Sequence, residues 1–169
     1  MLIDIKSISR SREAFIAIET EIGPDELVFS ALDYRLVEPL VFKGQLQAAG
    51  DGVLTLVGRL TTVYEGICAR CLVLVRNPLD VPVREVFRPV AMADDGETED
   101  SYRYEGFAVD IMPAIRDNLV LALPQRLLCR EECRGLCPDC GGNLNEQACH
   151  CADSGSGKGT AFDQLKSLL

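Results

Sequence analysis

Residues 40–68 read LVFKGQLQAAGDGVLTLVGRLTTVYEGIC, two β-rich runs on either side of Ala49-Gly50-Asp51-Gly52. Asp-Gly tolerates the positive φ that a tight turn demands, so the stretch predicts a β-hairpin. Upstream, EAFIAIETEI at 13–22 puts Ala14, Ile16, Ile18, Thr20 and Ile22 on one side of an extended chain. Downstream, LVLVRNPLDVPVREVFRPV at 72–90 predicts two further short strands around Asn77-Pro78. The first half of the chain therefore predicts an antiparallel sheet or small β-barrel.

Residues 94–105, DDGETEDSYRYE, carry six acidic side chains and read as a solvated loop. The next segment, VDIMPAIRDNLVLALP at 109–124, predicts a helix over 110–123. Asp110 can cap it, Pro113 is tolerated in the first turn, and Ile111, Ile115, Leu119 and Leu123 recur every fourth residue. Pro124 ends it, and the apolar stripe predicts that the helix covers the open face of the sheet. Beyond the cysteine-rich stretch 129–152, ADSGSGKGT reads as a flexible linker. AFDQLKSLL at 161–169 then places Phe162, Leu165, Leu168 and Leu169 at helical spacing. The expected class is α+β: a β body over 1–128 packed by one helix, a metal segment over 129–152, and a linker with a short terminal helix over 153–169.

At 169 residues and 47% hydrophobic, the chain can bury a core as one domain with a small appended module. Asp4 and Lys6 interrupt the position where a secretory signal would have its apolar run, and no stretch has the length of a membrane span. The expectation is a cytoplasmic protein, where thiols stay reduced and eight cysteines point to metal rather than to disulfides. A formal charge of -9 argues against a general polyanion binder. Each zinc held by four thiolates would add about -2 more.

Cys137-Pro138-Asp139-Cys140-Gly141-Gly142 has the form of a zinc knuckle. Two thiolates separated by two residues lie on one side of a tight turn, and the glycines permit the left-handed backbone that follows. Cys149 and Cys151, alternate residues of an extended segment, supply a second pair. Cys129 and Cys133 are four apart, as on one face of a helical turn, and Cys68 and Cys71 form another two-residue-spaced pair at a strand end. One partition gives two Cys₄ sites, Cys68/Cys71/Cys129/Cys133 and Cys137/Cys140/Cys149/Cys151. A rival partition has one site of Cys133, Cys137, Cys140 and a member of the last pair, with the other thiols free.

Iron–sulfur chemistry also uses four cysteines, but the knuckle followed by glycine favours zinc. A thioredoxin-like pair at Cys68/Cys71 would have to open a helix in a βαβ unit, and here it follows a strand. All-thiolate sites are generally closed and structural, whereas catalytic zinc keeps an open position. His150, the single histidine, reads as an exposed loop residue, and GSGKGT at 155–160 lacks the spacing of a P-loop. Arg70 lies between two ligands, Arg76, Arg84 and Arg88 lie on the following strands, and Arg126, Arg130 and Arg134 flank the second cysteine pair. They form either a basic patch or scattered charges paired with Glu85, Glu131 and Glu132. Tyr64, Tyr102 and Tyr104 fit a half-buried strand face better than a base-stacking platform.

The order Cys68-Ala69-Arg70-Cys71-Leu72, Leu121-Ala122-Leu123-Pro124, Cys129 to Cys133, Gly135-Leu136-Cys137-Pro138-Asp139-Cys140-Gly141, Asn143-Leu144-Asn145 and Cys149-His150-Cys151, closed by Phe162, Leu165 and Leu168, resembles the YceD family of large-ribosomal-RNA-subunit accumulation proteins. The resemblance covers roughly residues 50–169. It implies a non-enzymatic factor that supports normal levels of the large-subunit ribosomal RNA and carries over no catalytic residue. The expected cofactor is zinc. The expected partner is ribosomal RNA, a large-subunit ribosomal protein or an assembly intermediate, met through Arg70, Arg84, Arg88, Arg130 and Arg134, with neither a membrane nor a small-molecule substrate. The alternative is a redox-sensing zinc-binding regulator whose metal leaves on thiol oxidation.

Overall fold

The structure is a computed structural model that describes residues 1–8, 14–24, 34–92 and 101–151. The strands are β1 (Leu2–Asp4), β2 (Phe15–Ile22), β3 (Tyr34–Leu36), β4 (Leu40–Gly50), β5 (Val53–Ile67), β6 (Leu74–Pro89), β7 (Tyr102–Tyr104) and β8 (Ala108–Asp110), and α1 spans Met112–Ala122. Five strands run β2-β4-β5-β6-β7, and β3 joins the same sheet by pairing with the far end of β5. β1 and β8 form a separate antiparallel pair. Among the described residues the fold is mainly β with one short helix.

The β4–β5 hairpin closes as the sequence predicts. Asp51 and Gly52 both have positive φ, 53° and 78°, the combination that matches the twist of a two-residue hairpin turn. Beside it the register shifts between Ala48 and Gly50, a bulge that sharpens the local twist. Period-two alternation then sends Leu40, Phe42 and Leu46 of β4 and Leu54, Leu56 and Leu60 of β5 into the core, all essentially inaccessible. In the middle of this face Gly44 and Gly58 stand directly opposite each other. A Cβ on Gly58 would come within 2.6 Å of the Lys43 carbonyl and 2.7 Å of the Phe42 ring. The paired glycines leave the space into which that ring packs. On β2 the predicted side is the inner one, with Ile18 and Ile22 buried and Ala14, Ile16 and Thr20 half-buried.

Residues 72–90 depart from their prediction: they hold one strand of 16 residues, β6, rather than two. Pro78 and Pro82 both lie inside it, opposite Val63 and Arg59. They are four apart, so their donorless nitrogens share one edge of the strand, and the antiparallel ladder to β5 stays continuous when that edge faces away. Prolines on an outer edge also block pairing with another chain.

α1 begins at Met112, and Ile111 rather than Asp110 is the N-cap, with no side-chain cap bond of its own. Asp110, in β8, still serves this helix end: its Oδ1 accepts from the Met112 N–H at 3.1 Å and the Met1 ammonium at 2.7 Å. The predicted stripe Ile111, Ile115, Leu119 and Leu123 is buried, and Leu123 leaves the helix in extended conformation just before Pro124. Within the expected acidic loop, Tyr102–Tyr104 form β7, which adds to β6 in parallel through Phe87↔Tyr102. The expected terminal helix at 161–169 lies outside the described residues.

Candidate metal centres

β5 carries the chain to Ile67, and the next residues turn back sharply into β6. Cys68, at the strand end, and Cys71, at the turn, point inward, with relative exposures of 0% and 4%. The Leu72 N–H donates to the Cys68 carbonyl at 3.0 Å and the Cys68 N–H to the Val73 carbonyl at 2.9 Å, which fixes the turn. The segment after α1 arrives alongside. The Ala69 N–H donates to the Leu127 carbonyl, 2.8 Å, and the Cys129 N–H to the Cys68 sulfur, 3.4 Å. Cys129 and Cys133 sit on a single turn, closed by Cys133 N–H to the Arg130 carbonyl, and not on a helix. Cys68 and Cys133 sulfurs are 3.8 Å apart, and those of Cys71 and Cys129 are 3.5 Å apart.

The second group is local. Cys137 and Cys140 form a turn closed by Gly141 N–H to the Cys137 carbonyl, and Gly141 takes a φ of 71°. Leu136 and Asn143 pair as an antiparallel bridge beneath the turn. Cys149 returns to lie 3.3 Å from the Cys137 sulfur and 3.5 Å from that of Cys140, and Cys151 completes the four. In the first turn, Leu72 occupies the place of Gly141, with a φ of 60°. A bulky residue pays in backbone energy for that conformation, roughly 1–2 kcal/mol, and Leu72 is 61% exposed, so burial does not repay it.

In each group the four sulfurs lie within 4.8 Å of one another, and each group could hold a metal ion. A tetrahedral ion with metal–sulfur bonds of about 2.3 Å sets sulfurs about 3.8 Å apart, and disulfide sulfurs sit at about 2.05 Å. The donor set fits the metal reading. Burial is the largest influence on Cys68 and pushes its thiol up, but N–H donors from Cys71, Arg70 and Cys129 and the Cys71 side chain outweigh it and bring the thiol down to about 6. The N–H groups of Cys140 and Asp139, then the Cys149 thiol, bring Cys137 down to about 7. Burial and the sulfurs of Cys133, Cys71 and Cys68 push Cys129 up to about 12, and Cys149 and Cys140 do the same to Cys151. Each group thus contains a thiol that ionises readily beside one that keeps its proton. A divalent cation supplies the charge that lets all four ionise together.

Of the predicted arginines, Arg70, Arg130 and Arg134 gather around the Cys129–Cys133 turn, whereas Arg84 and Arg88 lie apart from it. Arg70 donates to the carbonyls of Cys133 (2.9 Å) and Glu131 (3.3 Å), fastening one cysteine turn to the other. Arg130 donates to the Asn145 side chain at 2.8 Å, and Arg134 lies exposed beside it. Arg84 and Arg88 lie ten and fourteen positions along β6 from Leu74, about 30–45 Å from the cysteine end at strand rise. Arg88 sits half-buried with Nη1 3.6 Å from the Met92 sulfur. Arg76 pairs at 2.8 Å with Glu65, a buried carboxylate that also accepts from Arg35. Tyr64 and Tyr104 are buried, and Tyr102 stacks on Phe87 and donates to Asp117, so these rings belong to the body. His150 is exposed. Two residues that the sequence reading did not single out for a role, Glu65 and Asn145, prove to be hubs. For Asn145 the available signal was the Asn143-Leu144-Asn145 repeat, which favours side-chain-to-backbone turns.

The sequence profile of the family described as "Large ribosomal RNA subunit accumulation protein YceD" matches residues 56–169, which include all eight cysteines. The chain belongs to the YceD family. Among curated relatives, an uncharacterized protein of Mycobacterium tuberculosis is 34% identical over 108 residues, 63% of this chain and 52% of the relative. An uncharacterized protein of Mycobacterium leprae is 26% identical over 150 residues, 85% of this chain and 67% of the relative. The uncharacterized protein YlbN of Bacillus subtilis is 27% identical over 111 residues, 64% of this chain and 62% of the relative. The match spans about half the length of the mycobacterial relative named first. No solved structure matches the chain. No helix among the described residues is long and apolar enough to cross a membrane. The YceD name ties the family to large-subunit ribosomal RNA, and the two four-cysteine groups suit metal binding.

Proposed function

We propose that the chain is a cytoplasmic zinc-binding accessory factor in large ribosomal subunit biogenesis, which supports accumulation or processing of the large-subunit ribosomal RNA without catalysing a reaction. The observation that carries this reading is the pair of four-sulfur cages in a chain of the YceD family. Tetrahedral all-sulfur donor sets select zinc or iron–sulfur centres, and two-residue knuckles with a left-handed residue behind them favour zinc. Zinc in such a site supplies cross-linking rather than a reactive water. Cys68, Cys71, Cys129 and Cys133 would tie the end of β5 to the segment after α1, and Cys137, Cys140, Cys149 and Cys151 would hold the terminal loop. The surface so fixed, with Arg134 at its edge and Leu72 and Leu74 exposed on the first turn, is where ribosomal RNA or a large-subunit protein would be met.

Depletion should lower large-subunit RNA and accumulate assembly intermediates, and unchanged sucrose-gradient profiles and RNA levels would sink the assignment. Native mass spectrometry of the purified chain should find two zinc ions, and one ion would force the single-site partition. A redox-regulator reading draws on the exposure of Cys129 and Cys140, which oxidants can reach. The same mass measurement after peroxide separates the two: retention of both zincs excludes redox control.

A further inference from the structure

The two cages are joined through one side chain. Asn145 lies between Cys140 and Cys149, so by sequence it belongs to the second cage, yet its amide faces the first. Its Nδ2 donates to the Cys133 sulfur at 3.3 Å and to Asn143 Oδ1 at 2.8 Å. Its Oδ1 accepts from the Arg134 backbone N–H and from Arg130 Nη2, both at 2.8 Å. These four bonds use the full capacity of a primary amide, two donors and two acceptor sites. They also set its orientation, because an N–H and a guanidinium can only donate, which places the oxygen toward them and the nitrogen toward the thiolate.

The turn that presents Asn145 is built by the second loop. The Leu144 N–H donates to the Gly135 carbonyl at 2.9 Å, the Asn145 N–H to Asn143 Oδ1 at 3.0 Å, and the Glu146 and Gln147 N–H groups to the Asn143 carbonyl. The loop runs from Cys140 to Cys149, so its two ends are held together where the sulfurs of Cys137, Cys140, Cys149 and Cys151 meet. An N–H aimed at a metal-bound thiolate favours its charged form and orients it, and removing such an outer partner typically costs about 10–100-fold in metal affinity.

We infer that Asn145 couples the two metal sites, so that filling the second cage raises the affinity of the first, and by linkage the reverse holds equally. This rests on the two-site reading proposed above. Asn145 is a positioning residue, acting on the metal through Cys133. The expected coupling is about tenfold or more, the range of one outer partner.

The test is a double-mutant cycle on the full chain loaded with cadmium. Cadmium NMR gives one resonance per cage, and each is titrated separately against a competing chelator. Cys149→Ser with Cys151→Ser disables the second cage and should weaken the first about tenfold. Asn145→Asp keeps the oxygen that Arg130 and Arg134 bond but replaces the N–H with an oxygen, and should weaken the first cage similarly while the second stays filled. Combining the changes should add little, because both remove the same bond. An unchanged first-cage affinity in Asn145→Asp, or losses that multiply in the combined variant, overturns the coupling. Fewer than two cadmium ions in the unaltered chain overturns the two-site reading, and the coupling with it. Two ions with independent affinities overturn the coupling alone.

Discussion

Glu65 shows how a single residue can be decided by its neighbours. It stands on β5 three positions before Cys68, on the face opposite the core-facing Leu60 and Tyr64, yet it is only 5% exposed, with Arg35 of β3 and Arg76 of β6 in register on either side. A lone carboxylate there would be costly, but Arg76 and Arg35, the first the larger influence, hydrogen-bond it and hold its pKa below the ordinary carboxylate range. A depressed pKa means that its contribution to stability is fully present above the unfolded value and is lost as pH falls through the folded one. Denaturant unfolding followed from neutral to acid pH should therefore lose part of its acid-side slope in Glu65→Gln, and an identical slope would show that Glu65 is not its source. Leu72 is the complementary case, a costly conformation that burial does not offset. Nothing local in the sequence marks Glu65, because neither partner is adjacent to it along the chain. Arg35 comes from β3 and Arg76 from β6.

At the scale of elements, the hairpin, the inward face of β2 and the helical stripe were legible, because period two and period four are local properties of the chain. The sheet's central contact was not. Gly44 and Gly58 face each other across the two strands, and their pairing makes room for Phe42. Gly58→Ala should cost about 1–3 kcal/mol, the range for overpacking a close-packed core, measured by chemical denaturation, and a neutral effect would mean that the Phe42 ring moves aside freely. β6 misled for a related reason. Asn77-Pro78 resembles a turn in isolation, and only the long partner β5, paired from Leu54 to Ile67, carries the strand straight through it.

Across the whole molecule, apolar packing and sulfur chemistry divide the work. The β body and α1 share one core running from Ile5 through Phe42 and Leu56 to Leu119, whereas Cys68, Cys71 and Cys133 form a separate small cluster with Val75, Leu128 and Leu136. Chelation at neutral pH should therefore strip amide-exchange protection from residues 129–151 and leave the central strands protected, and global loss of protection would show that the metal segment also holds the sheet. The sequence by itself determined the β-rich character, the position of the helix and the number and pairing pattern of the cysteines, since composition, periodicity and short spacing are written along the chain. It left two partitions of the thiols open. Only the tertiary structure gathered the sulfurs into two groups of four, by bringing Cys129 and Cys133 against Cys68 and Cys71, about sixty residues away in the chain. It also separated Arg84 and Arg88 from the cysteine end and turned the Asn145 amide onto the Cys133 sulfur. Contacts between distant segments depend on strand register and on the length of β5 and β6, which are set by the packing of the whole core rather than by any local pattern.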